Sequence, residues 1–111
     1  IINGAPLSRS VAENHLKVAG GGFSPEVAAQ NGAKVRLIFT EYNVERDDPS
    51  SDEIVNTTVT PKPNGDFEGD LTIPGNKLQA GKKYVVRAYL EDANGGFSSD
   101  VTLKTLVPTT N

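Results

Sequence analysis

An all-β sandwich is the fold class that the 111-residue sequence predicts, and three features of the chain predict it. Short runs of alternating or β-branched apolar residues recur about six or seven times with turn-forming residues between them, which is the spacing of a sandwich of short strands. No 3.6-residue apolar pattern persists beyond one turn, so the crossover helices of a parallel α/β sheet have no sequence to form them. The third feature is residues 78–105, LQAGKKYVVRAYLEDANGGFSSDVTLKT, where two alternating runs flank Asn94-Gly95-Gly96 as antiparallel strands flank a hairpin turn.

Taken in order, residues 1–12 are polar around Pro6 and read as a lead-in with room for a short edge strand. Leu16 and Val18 on either side of Lys17 predict a strand over 14–19, and Gly20-Gly21-Gly22 withdraw side chains where it would continue. Ser24-Pro25 opens a loop in which Val27, Ala28 and Ala29 suit one helical turn, and Asn31-Gly32 closes it. Residues 33–42, AKVRLIFTEY, put Val35, Leu37 and Phe39 on one face and Lys34, Arg36, Ile38 and Thr40 on the other, as a half-buried strand requires.

Residues 43–53, NVERDDPSSDE, are charged and contain Pro49, which predicts a solvated loop. The β-branched run 54–60, IVNTTVT, suits a pleated surface without marking which face is inward. Pro61, Pro63 and Asn64-Gly65 make a turn, and Phe67, Gly69, Leu71 and Ile73 then alternate with polar residues until Pro74-Gly75 stops the strand. No fixed-period repeat is visible. Residues 1–105 make one domain, and 106–111, LVPTTN, have little to bury and read as a linker to a further domain.

A chain of this length buries roughly two thirds of the surface its unfolded form exposes, enough for one core. With 36% apolar and 23% charged residues the composition is globular, and a net charge of -3 supplies no field to gather phosphates, so nucleic acid is not an expected partner. No apolar segment approaches the roughly 18–20 residues that span a bilayer, so membrane insertion is not expected. There is no cysteine, and hence no disulfide or thiolate metal site; there is also no tryptophan, which leaves tyrosines 42, 84 and 89 and the phenylalanines as aromatic surface.

Leu78, Gly81 and Tyr84 resemble the leucine, proline-glycine, tyrosine corner of fibronectin type III domains, in which leucine and tyrosine are separated by the same six positions; Ala80 replaces the usual proline. Val85-Val86-Arg87-Ala88-Tyr89, then Asn94-Gly95, Ser98 and Thr105, keep the family's order through its last two strands, and Arg87-Ala88-Tyr89 with Lys104-Thr105 is similar to divergent modules of secreted and surface proteins of the Bacteroidetes. The resemblance covers about a quarter of the chain. Upstream, Leu16-Lys17-Val18 leads to Gly20 where the family often carries tryptophan, and residues 21–32 and 43–53 are not explained by it. It implies an immunoglobulin-like, fibronectin type III-like sandwich of about seven strands. Physics gives the corner the same role: the Tyr84 ring buries while its hydroxyl bonds a backbone group just upstream. On that placement Tyr84→Phe costs about 1 kcal/mol and Leu78→Ala about 2–4 kcal/mol.

Candidate chemistry is sparse. His15, the sole histidine, has no serine in a nucleophile elbow to serve, and Gly20-Gly21-Gly22 lacks the Gly-Lys-Ser/Thr of a phosphate loop. Acidic residues gather at Glu45, Asp47, Asp48, Asp52 and Glu53 and again at Glu91, Asp92 and Asp100; oxygen-rich loops can hold calcium, but neither follows dedicated calcium-loop spacing, and solvated turns are the commoner use. No cofactor is expected. Asn56-Thr57-Thr58 fits a glycosylation acceptor, but in a bacterial protein it is simply strand sequence, which is the favoured reading. If Tyr84, Val86 and Ala88 face the core, Val85, Arg87 and Tyr89 turn outward; the resemblance makes the strand carrying Arg36 and Ile38 their neighbour. Arg36, Ile38, Arg87 and Tyr89 would then form a mixed face suited to protein contact or sugar stacking, against the ordinary alternative of cross-strand pairs on an outer sheet.

The expectation is a non-catalytic module, not an enzyme. The resemblance implies a spacer in a larger secreted or cell-surface bacterial protein, with neighbouring domains of the same polypeptide as its partners. The alternative is a glycan- or protein-binding adhesion module.

Overall fold

The computed structural model describes residues 2–3, 7–103 and 109–110, with side chains described over 7–50 and 52–96. In chain order the elements are β1 (Ile2–Asn3), β2 (Leu7–Ser8), β3 (Glu13–Gly20), α1 (Pro25–Ala28), β4 (Lys34–Asn43), β5 (Asp48–Val59), β6 (Phe67–Pro74), a 3-10 turn at Gly75–Lys77, β7 (Lys83–Glu91), β8 (Phe97–Leu103) and β9 (Thr109–Thr110). The described chain is mostly strand. One antiparallel sheet has the order β1-β3-β6, a second has the order β5-β4-β7-β8, and β2 pairs in parallel with β9.

A single cluster of buried side chains joins the two larger sheets. It takes Leu16 and Val18 from β3, Phe67, Leu71 and Ile73 from β6, Val35, Leu37 and Phe39 from β4, and Tyr84, Val86, Ala88 and Leu90 from β7. In each strand these are the alternate positions, because successive side chains of a pleated strand point to opposite faces. Phe67 packs against Phe23 with ring centroids 5.6 Å apart. Gly69 leaves room where β6 passes β5: a Cβ there would lie 2.7 Å from Val59 Cγ1.

The corner before β7 is built from Leu78, Gly81 and Tyr84. Tyr84 is 1% exposed and stacks on Phe39 at 5.2 Å with 9° between the ring planes. Its hydroxyl accepts a hydrogen bond from the Gln79 backbone N–H at 2.8 Å, which ties the strand entry to the turn before it. Leu78 is buried in the shared core. Gly81 sits at φ +77°, a left-handed conformation that costs a side-chain-bearing residue energy.

Two expectations are corrected. The solvated loop placed at 43–53 shrinks to a turn at 44–47, and strand resumes at Asp48, with Tyr42 opposite Pro49. Among the described residues β5 has one hydrogen-bonded neighbour, and on such an edge a proline lacking its N–H is tolerated, with register shifts near Thr40 absorbing the extra residues. The second correction concerns the face of β4 turned from the core. Ile38 and Thr40, expected on the solvent side of a half-buried strand, are 6% and 0% exposed, and Val85 on β7 is 1% exposed. β4 and β7 are the central strands of their sheet, so a short side chain there has taller neighbours on both sides. Within residues 106–111, Thr109 and Thr110 pair with Leu7 and Ser8; residues 106–108 and 111 lie outside the described residues.

Candidate functional site

The register of β4 against β7 assembles the outer face. It sets Lys34 opposite Glu91, Arg36 opposite Tyr89, Ile38 opposite Arg87 and Thr40 opposite Val85. Arg36, Ile38, Arg87 and Tyr89 therefore share one face and adjoin one another. Ile38 is covered, whereas Arg36, Arg87 and Tyr89 are half-buried.

The hydrogen bonds of this face run largely within it. Arg36 Nε donates to Glu91 Oε2 at 2.5 Å and Nη2 to Glu91 Oε1 at 3.3 Å, a two-pronged contact that matches the planar guanidinium to a carboxylate. Arg36 Nη1 donates to Asn56 Oδ1 on β5 at 2.6 Å, and Asn56 Nδ2 donates to Glu53 Oε1 at 2.9 Å. The hydrogen bond to Glu91, followed by its opposing desolvation and the charges of Glu91 and Glu53, leaves the Arg36 pKa above its already high ordinary value. Arg87 Nη1 donates to Tyr89 Oη at 2.8 Å, and its guanidinium carbon lies 5.7 Å from the Tyr89 ring centroid, within cation–π range. Among the described residues, Arg87 Nε and Thr40 Oγ1 are buried without a hydrogen-bond partner.

Of the acidic candidates, Glu91 and Glu53 join this face through Arg36 and Asn56, whereas His15 and Asp92 stand apart from it. His15 is exposed on β3 opposite Thr72. Asp92 Oδ1 accepts from the Asn94 and Gly96 N–H groups at 2.9 and 2.8 Å, which is turn chemistry at the β7–β8 hairpin. Among the described residues no three His, Cys, Asp or Glu side chains gather where they could hold a metal ion; the Asp100 side chain lies outside them. Two open clefts flank the end of β4: one of about 340 Å³ between 41–45 and 81–83, the other of about 450 Å³ beside Arg46, Asp48 and Pro49. Lys82 Nζ lies 3.7 Å from Glu41 Oε1 at the first.

Compared with known proteins, the chain matches no family model, no curated protein and no solved structure.

Sequence reasoning did not find the partners that occupy Arg36. Period-two alternation from Arg87 and Tyr89 does put Glu91 on the same face, but only the register with β4 brings it to Arg36. Asn14 was missed as well. It is 8% exposed; its Oδ1 accepts from the Ser8 N–H at 2.8 Å, and its Nδ2 donates to the carbonyls of Ser8 at 3.0 Å and Ile73 at 3.2 Å. Those bonds pin β2 beside β3 and β6, and Leu7 is fully buried in the core.

Proposed function

We propose that the chain is an immunoglobulin-like, fibronectin type III-like β-sandwich that serves as a non-catalytic spacer in a larger secreted or cell-surface bacterial protein, holding neighbouring domains apart. Support for the sandwich comes from two antiparallel sheets of three and four strands that share one core, and from a tyrosine whose hydroxyl reaches back to the preceding corner.

The observation that carries the spacer role is where the outermost described strands lie. β1 pairs Ile2 with Val18 and Asn3 with Lys17, so the chain comes in from the Gly20 end of β3. β9 pairs Thr110 with Ser8, which Asn14 holds near the Glu13 end of β3. Entry and exit at opposite ends string domains in line, whereas entry and exit side by side would fold them back on each other. The outer face agrees with a spacer, because its guanidinium groups already bond Glu91, Asn56 and Tyr89.

The test is the full-length gene product with and without this domain, measured by small-angle X-ray scattering. A spacer whose longest extent is 43 Å should shorten the maximum dimension by a comparable length on deletion; an unchanged dimension rejects the role. A glycan array on the isolated domain separates the adhesion alternative. Retention of a glycan that Arg87→Ala with Tyr89→Ala abolishes would make the module a binder through that face.

A further inference from the structure

Asparagine followed by glycine is the dipeptide most open to deamidation, because the nitrogen of the next residue must reach the asparagine Cγ and glycine puts no Cβ in the way. The chain carries four such pairs, at 3–4, 31–32, 64–65 and 94–95. Gly4 lies outside the described residues, and the other three pairs sit in turns that treat the reacting groups differently. At 64–65 the Gly65 N–H donates to the Lys62 carbonyl at 2.9 Å and Gly65 is buried. The Asn64 amide is tied at both ends to Asp66, Nδ2 donating to Oδ2 at 3.1 Å and Oδ1 accepting from the backbone N–H at 3.0 Å. At 94–95 the Gly95 N–H donates to the Asp92 carbonyl at 3.0 Å, and the Asp92 carboxylate, which accepts from the Asn94 and Gly96 N–H groups, opposes a negative charge forming on the nitrogen between them. At 31–32 neither restraint is present among the described residues. The turn is closed by the Ala33 N–H on the Gln30 carbonyl at 3.1 Å, with Gly32 in third place at φ +97°. Among the described residues no acceptor takes the Gly32 N–H, and Asn31 and Gly32 are both exposed.

We propose that Asn31 is a site of spontaneous deamidation in the folded chain, with water as its only co-reactant. Hydroxide takes the proton of the Gly32 N–H and the nitrogen attacks Asn31 Cγ. The N–Cγ bond forms and the Cγ–Nδ2 bond breaks, and Nδ2 leaves as ammonia after taking a proton from water, which regenerates the hydroxide. The five-membered succinimide then takes up one water. Addition at Cγ gives aspartate in an unaltered main chain. Addition at the main-chain carbonyl of position 31 gives isoaspartate, in which the chain runs through Cγ and gains one carbon. Either product adds one negative charge to the net charge of -3. The turn leads directly into β4 and is tied to the β7–β8 hairpin by the Ala93 N–H, which donates to Gln30 Oε1 at 3.2 Å, so the added carbon and charge fall beside that contact. The modification is independent of the spacer role.

Timed incubation of the chain in mildly alkaline buffer, folded and in urea, tests this. Peptide mapping by mass spectrometry reads each asparagine separately, Asn3 included, and an isoaspartyl carboxyl methyltransferase labels the isoaspartate product. In the folded chain Asn31 should convert about five-fold or more ahead of Asn94, the factor that one retained hydrogen bond is worth, with Asn64 slowest. In urea, where the turns are gone, the three rates should converge, Asn64 accelerating most. Asn31→Gln, whose longer side chain disfavours ring closure, should leave the melting temperature unchanged and remove most of the early product from these three sites. A folded chain in which Asn94 or Asn64 keeps pace with Asn31 overturns the proposal. So does an order that persists in urea, which would assign it to the flanking sequence, or an Asn31 that converts only once the chain is unfolded.

Discussion

The two faces of the four-stranded sheet carry the same alternation and put it to different uses. On the inner face Val35, Leu37, Phe39, Tyr84, Val86, Ala88 and Leu90 are all within 1% of full burial, and their common neighbours are the side chains of the other sheet. On the outer face Ile38, Thr40 and Val85 are also buried, but beside Arg36, Arg87 and Tyr89, which turn their polar groups toward one another and toward Glu91 and Asn56. The inner face gains its stability by removing apolar area from water. The outer face covers itself by pairing charges and rings, which contributes less and, among the described residues, leaves two buried polar atoms without a partner.

That contrast can be broken or sharpened by four substitutions. Leu78→Ala empties a core position at the corner and should lower stability by about 2–4 kcal/mol in denaturant melts; a loss under about 1 kcal/mol would place the corner outside the inner face. Thr40→Val should act in the opposite direction. It keeps the shape while deleting a buried hydroxyl, and an increase of about 1 kcal/mol, or about 4–8 °C in Tm, is expected by calorimetry. A decrease would mean that the hydroxyl has found a bond. Tyr84→Phe preserves the stacked ring and removes the bond to the Gln79 N–H, which lies at an exposed residue and can turn to water, so the loss should be about 1 kcal/mol or slightly less. The smallest effect belongs to the outer face. A double-mutant cycle of Arg36→Ala and Glu91→Ala should give a coupling of about 0.5 kcal/mol that fades as salt is raised, since the Arg36 side chain is 36% exposed. Coupling as large as the Leu78→Ala loss would erase the distinction between the faces.

Legibility in the sequence followed the range of the interaction. The inward set of β4 and β7 is plain in the alternation around Val35, Leu37, Phe39 and Tyr84, and the turn at Asn94-Gly95 is plain in its residue types. The strand over Asp48–Glu53 was hidden, because its proline and charges describe a loop unless one knows that β5 lies on an edge. Leu7 was hidden too, its two-residue strand being held by bonds from Asn14 that no local pattern announces. Arg36, Ile38, Arg87 and Tyr89 could be assigned to one face from period two and the resemblance, but the carboxylate that engages Arg36 could not.

By itself, then, the order of residues determined which side chains must leave water and where the backbone must reverse, since both depend on properties repeating every second residue or confined to a turn. Only the tertiary structure decided which strand lies beside which, and with that the pairing of Arg36 with Glu91, the burial of Thr40 and, among the described residues, the edge position of β5. Those outcomes depend on groups as far apart along the chain as Arg36 and Glu91 or Leu7 and Thr109, whose meeting is set by the packing of the whole body.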